Sequence, residues 1–253
     1  MILAFAIAAT VLMWRPADAA DISKCKQVAS GRASVVDIPT TLDDGQSVSL
    51  KGLFTTPTGP GPFPAVVMLH GDGSLYTPYC HAALAEQFAS WGYATLIIAS
   101  STAINDRQVR QYEYSFRDQA NHARGAARLL STMTRIDNRR LAVWGHSRGG
   151  LTAIELSVNP RDREGHFKAI ISAAPHCPSR VISQHTPLLL IVGTHDAKIS
   201  FAACKDFAAS SNRHTGFEYL FLTGANHVFW LQADAARTSA QRMRAFLAKH
   251  LAR

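Results

Sequence analysis

Four stretches of this chain are apolar almost without interruption at strand length: Ala65–Leu69 (AVVML), Ala94–Ala99 (ATLIIA), Leu141–Trp144 (LAVW) and Leu188–Val192 (LLLIV). A strand covered on one face alternates apolar and polar residues, so continuous runs require cover on both faces. Further strand-length runs stand at Ser47–Thr56, Ala169–Ala174 and Glu218–Leu222. Between them, His81–Trp91, Phe116–Met133, Gly149–Val158, Phe201–Ser211 and Ala233–Leu251 carry apolar residues at i, i+3 and i+4 spacing, the signature of helices with one buried stripe. Strand and helix in alternation predict an α/β domain, with a mostly parallel central sheet and helices on both faces. Ser47–Thr56 is expected as an antiparallel edge. The stretch Ser100–Ser115 reads as a long irregular loop at the carboxyl edge of the sheet, where ligands of open α/β folds bind.

Composition narrows the rest. The 253 residues are 47% hydrophobic and 17% charged, enough apolar material for a sizeable core, and this excludes a disordered chain. No linker-like stretch divides the sequence and no repeat of 20–50 residues recurs, so residues 20–253 are expected as a single domain. Residues 1–19 differ: an apolar run from Met1 to Met13 precedes Ala17-Asp18-Ala19, a small-x-small cleavage pattern. They are expected to be a signal peptide, although no Lys or Arg precedes the run; a buried N-terminal helix is the alternative. Export implies a periplasmic or secreted protein with no stable membrane insertion after cleavage. The formal net charge is +8, but its Lys and Arg are scattered, without a basic stripe interleaved with aromatics. A solvated basic surface is therefore expected, not a nucleic-acid partner. The cysteines, Cys25, Cys80, Cys177 and Cys204, contain no CxxC pair. In an oxidising compartment four cysteines allow two disulfides in three connectivities.

The segment that carries chemistry is Leu141–Gly150, LAVWGHSRGG. It sets Gly145-x-Ser147-x-Gly149 between a buried strand and a helix, which is the nucleophile-elbow arrangement. On so sharp a turn the serine backbone is strained, and a Cβ two residues to either side would clash. A serine hydroxyl needs a base, and the base needs an acid to orient it. Downstream, Asp196 follows the strand Leu188–Val192 and His227 lies in the loop after Glu218–Leu222. The order Ser147, Asp196, His227 suits a triad at the carboxyl edge of a parallel sheet. His195, His146 and His70 are weaker bases by placement, and Asp206 and Asp234 weaker acids. An oxyanion also needs donors. Arg148 N–H, at the helix start, is one candidate. Asp72 N–H, in the His70-Gly71-Asp72-Gly73 turn after an early strand, is the second.

HGDG, GHSRGG, GTHD and the Asn226-His227 pair, in this order and spacing, resemble the α/β-hydrolase fold and, within it, the dienelactone hydrolase-like group. The likeness runs from about residue 47 to the C-terminus and includes the helix Phe116–Met133 with Asp118, Ala126 and Leu129. Dienelactone hydrolase itself uses a cysteine nucleophile, whereas this chain has Ser147, so the resemblance implies a serine esterase cleaving small-molecule or polymeric carboxylic esters. It implies no metal and no organic cofactor. It also implies a Cys177–Cys204 disulfide beside the acid, with Cys25–Cys80 as the remaining pair.

Tyr76, Tyr79, Phe229 and Trp230 flank the oxyanion turn and the base, and are candidates either for a substrate pocket or for packing. Arg107 and Arg110 are candidates to meet a carboxylate on the substrate. A serine peptidase of the same fold and a non-catalytic binding module are the competing readings.

Overall fold

The computed structural model describes residues 33–72, 81–105, 108–111, 115–159, 166–179 and 184–252. The predicted signal peptide, Cys25, Tyr76, Tyr79, Cys80 and Arg107 lie outside the described residues. Nine strands are present among those described: β1 (Ala33–Thr41), β2 (Ser47–Thr55), β3 (Phe63–Leu69), β4 (Ala94–Asn105), β5 (Gln108–Gln111), β6 (Ile136–His146), β7 (Phe167–Ala173), β8 (Leu188–Gly193) and β9 (Phe217–Leu222). The α-helices among the described residues are α1 (Ala82–Ser90), α2 (Phe116–Ser131), α3 (Arg148–Val158), α4 (Phe201–Ser211) and α5 (Ala233–His250). No helix among the described residues is long and apolar enough to cross a membrane.

The sheet order is β1-β2-β4-β3-β6-β7-β8-β9, with β5 paired to β4. From β4 to β9 along this path all pairings are parallel; β1–β2 and β2–β4 are antiparallel. Neighbouring residues of β3 show why its run is continuous. Val67 and Leu69 enter a core with α2, α3 and α4, while Val66 and Met68 enter a second core with α1 and α5. Both faces are dry, so neither leaves room for a polar residue in the pattern. The start of α2 is fixed by a reciprocal cap: Ser115 Oγ accepts from Asp118 N at 3.1 Å, and Asp118 Oδ2 accepts from Ser115 N at 2.9 Å.

Three expectations need correction. Ser47–Thr56 is antiparallel but is not an edge, because β1 pairs along it from Ala33↔Thr55 to Thr41↔Ser47. Pro39 in β1 removes a ladder donor, which an edge strand tolerates and which weakens the strand pattern of its sequence. The stretch Ser100–Ser115 is not an irregular loop throughout. β4 continues to Asn105, and β5 returns beside it from Asn105↔Gln108 to Thr102↔Gln111, forming a hairpin beyond the parallel core. β6 also starts earlier than its apolar run, at Ile136. Asp137 there accepts from Arg140 Nε at 2.8 Å, so polar residues that pair with one another hide the first turn of strand.

Candidate active site

Ser147 is the single residue between the end of β6 and the start of α3. Its backbone stands at φ 55 and ψ −115, outside the regions open to an ordinary L-residue, a strain of about 1–3 kcal/mol that the surroundings must hold. They do so through close approach. A Cβ on Gly145 would fall inside the Gly149 carbonyl, and one on Gly149 inside the Leu69 carbonyl and 2.9 Å from His70 O. Ser147 N donates to Ala173 O at the end of β7, at 2.9 Å. The elbow is thus fastened to the ends of both neighbouring strands.

Asp196 and His227 meet. His227 Nδ1 lies 2.7 Å from Asp196 Oδ2. Asp196 Oδ1 accepts from Lys198 N at 2.8 Å and Ile199 N at 3.2 Å, so its carboxylate is fixed by its own turn after β8. The Asp196 side chain is fully buried and that of His227 is 17% exposed. An ionised carboxylate only accepts, so the proton sits on Nδ1 and the Nε2 lone pair is left available for base chemistry. The order of the chain and the parallel sheet bring this pair to the same sheet edge as Ser147.

The turn after β3 packs against the elbow: a Cβ on Gly71 would lie 2.8 Å from Ser147 Cβ. His70 is buried beneath it. Its Nδ1 donates to Gly71 O at 2.7 Å, and its Nε2 accepts from Ser100 N at 3.1 Å, which fixes the neutral tautomer. Burial, reinforced by the nearby Arg148 charge, holds its pKa below the ordinary imidazole value. Gln119 Nε2 donates to His70 O at 3.0 Å, and its Oε1 accepts from Thr152 at 2.8 Å. This buried network joins α2 and α3 to the turn. At the tip of the turn, the Asp72 carboxylate forms an ion pair with the Arg148 guanidinium.

Beneath His227 lies an aromatic cluster. His146 Nε2 donates to the His227 carbonyl at 3.1 Å, and its ring stands edge-on to Trp230 at 4.4 Å between centroids. His81 packs edge-on to Trp144 at 4.7 Å and against Trp230 at 5.3 Å. Burial drives the His81 pKa down to about 3 and that of His146 well below the ordinary value. Sequence reasoning set His146 aside as a weaker base and did not single out His81, Gln119 or Thr152. Nothing in apolar periodicity marks a buried polar residue whose partners come from other elements.

Among the substrate candidates, Trp230 belongs to this cluster and Phe229 is buried beside it, so both have packing roles. The backbone of Arg110, in β5, pairs with Ala103 of β4; its side chain lies outside the described residues. A cavity of about 380 Å³ opens beside the elbow, lined by Asp72, Ser115, Phe116, Arg148, Leu151 and His176. Cys177 and Cys204 are disulfide-bonded, with Cα atoms 5.0 Å apart, joining the segment after β7 to α4 around the Asp196 turn.

Comparison with known proteins agrees with this architecture. A family model described as chlorophyllase matches residues 26–204, a span holding Asp72, Ser147, Asp196 and Cys204 but ending before His227. Cutinase 1 of Thermobifida cellulosilytica is 31% identical over 148 residues, covering 57% of this chain and 53% of that protein. The chain therefore spans about half the length of the curated relatives it matches. A Pyrococcus furiosus esterase superposes with a TM-score of 0.68 at 17% identity, covering 86% of this chain and 93% of that one. A putative dienelactone hydrolase from Klebsiella pneumoniae does so at 0.64 and 17%, covering 85% and 99%. These two likenesses are of fold, and the nearer sequence match lies elsewhere. The chain has the α/β-hydrolase fold and belongs to the chlorophyllase family.

Proposed function

We propose that this protein is a serine esterase that cleaves carboxylic esters through an acyl-enzyme. Ser147 attacks the ester carbonyl, and His227 Nε2 takes its proton and returns it to the leaving alcohol. Asp196 holds the imidazole in the working tautomer and stabilises its charged form. The N–H groups of Asp72 and Arg148 receive the oxyanion, helped by the positive end of α3. Water then resolves the acyl-enzyme by the same path in reverse, with His227 as base.

The observation that carries the reading is the 2.7 Å contact between His227 and Asp196, made by residues that follow β9 and β8. The strained Ser147 stands on the same sheet edge. The names of the relatives add chemistry of one kind, since cutinase, chlorophyllase and esterase all denote ester cleavage. The substrate is accordingly a small-molecule or polymeric ester. The disulfide suits an oxidising compartment, and with residues 1–19 read as a signal peptide, residues 20–253 form the mature esterase, exported to the periplasm or secreted.

Turnover of p-nitrophenyl acetate, butyrate and octanoate by the chain and by Ser147→Ala, His227→Ala and Asp196→Ala tests the proposal. Loss of about 10³-fold or more in kcat is expected for the Ser147 and His227 variants. Faster cleavage of matched amides than esters supports a peptidase instead, and equal rates for the chain and Ser147→Ala defeat the assignment.

A further inference from the structure

We propose that the Asp72–Arg148 ion pair is a latch that keeps the two oxyanion-binding N–H groups at their working separation. The side chains of Asp72 and Arg148 are then positioning residues, distinct from the backbone groups that meet substrate. This rests on the reading of Ser147 as the nucleophile.

The two donors stand on separate stretches of chain. Arg148 opens α3, held by the strained elbow and by the passage of Gly149 against the Leu69 and His70 carbonyls. The other stretch is fixed as far as Gly71: His70 bonds Gly71 O and Ser100 N, Gln119 bonds His70 O, and Gly71 abuts Ser147. Among the described residues, the Arg148 side chain ties Asp72 to the elbow, so the pair links the two donor residues directly. Asp72 faces solvent with 56% of its side chain exposed, and Arg148 with 37%. An exposed pair adds little to folding. A donor displaced by a fraction of an ångström is felt in the transition state, where the oxyanion forms. The pair should therefore act on kcat and leave folding and substrate affinity nearly alone.

The test uses Asp72→Ala, Arg148→Ala and the exchanged pair Asp72→Arg/Arg148→Asp in the full chain. All three keep both backbone N–H groups. Turnover of p-nitrophenyl butyrate is measured beside thermal unfolding and labelling of Ser147 by a fluorophosphonate. For each single variant we expect kcat to fall about ten-fold, with KM within about two-fold and Tm within about 2 °C. The exchanged pair should recover most of the loss, which a merely structural role for either side chain would not produce. Single variants with wild-type kcat, or an exchanged pair no better than the singles, overturn the latch while an active, labelled wild type keeps the esterase reading. An inert, unlabelled wild type overturns both.

Discussion

His146 Nε2 donates a hydrogen bond to the backbone carbonyl of His227 at 3.1 Å, so the residue that precedes the elbow serine holds the loop that carries the candidate base. The contact runs through a cluster of imidazole and indole rings, and its removal has a defined consequence. His146→Phe keeps a ring against Trp230 and removes the donor. The orphaned carbonyl costs about 1–3 kcal/mol, and the His227 loop loses its tie to β6. Tm should drop by several degrees and ester turnover should fall more than binding of a substrate analogue. Unchanged Tm and turnover would show that ring packing alone positions the loop.

Acid should weaken the fold through buried imidazoles. His81 and His122 have pKa values pushed down to about 3 by burial, and His146 is shifted the same way. In the unfolded chain these groups take up protons near 6.5. Between those limits the unfolded state binds more protons, so stability falls as pH drops from about 6.5 toward about 3. Each group contributes a slope of about 1.4 kcal/mol per pH unit. Urea unfolding at pH 7, 5 and 4 should give successively lower midpoints, and equal midpoints would contradict the assignment of these rings as buried and neutral.

Gly149→Ala forces a methyl group into the Leu69 carbonyl, where the obstacle is backbone and cannot rotate away. The elbow and the turn after β3 must separate. We expect a loss of about 2–4 kcal/mol or failure to fold. Chemical denaturation of the variant beside wild type checks this, and a difference below about 0.5 kcal/mol would mean that the elbow yields at little cost.

The Cys177–Cys204 disulfide closes a 27-residue separation around the Asp196 turn. Loop-closure entropy alone makes it worth about 3–4 kcal/mol. Cys177→Ala/Cys204→Ala should lower the denaturation midpoint accordingly and raise hydrogen exchange at Lys198 and Ile199 N–H, which hold Asp196. Exchange at these two amides as slow as in the disulfide-bonded chain would show that the bond stabilises without bracing the acid.

The sequence was most legible where one physical demand acted alone. Continuous apolar runs such as Ala65–Leu69 and Leu188–Val192 follow from two dry sheet faces, and the elbow glycines from direct collision of backbones. Asp196 and His227 could be chosen because a parallel sheet brings its strand ends to one edge. β1 was missed because Pro39 and a half-exposed face blur its alternation. The hairpin β4–β5 was read as a loop because residues 101–111, STAINDRQVRQ, set few apolar residues among polar ones and form no strand-length apolar run. His81, Gln119 and Thr152 were invisible for another reason: each is buried by partners distant in sequence. The family was read through its elbow and acid motifs, which many hydrolases share; the chlorophyllase match over residues 26–204 distinguishes relatives that those few residues cannot.

The central claim is that Ser147 is an activated nucleophile, and the most direct measurement is the intact mass of the protein after exposure to a fluorophosphonate, beside Ser147→Ala treated alike. The account predicts one adduct on the wild type, none on Ser147→Ala, and slow labelling of His227→Ala. A folded wild type that gains no mass, or an adduct that persists in Ser147→Ala, would contradict it.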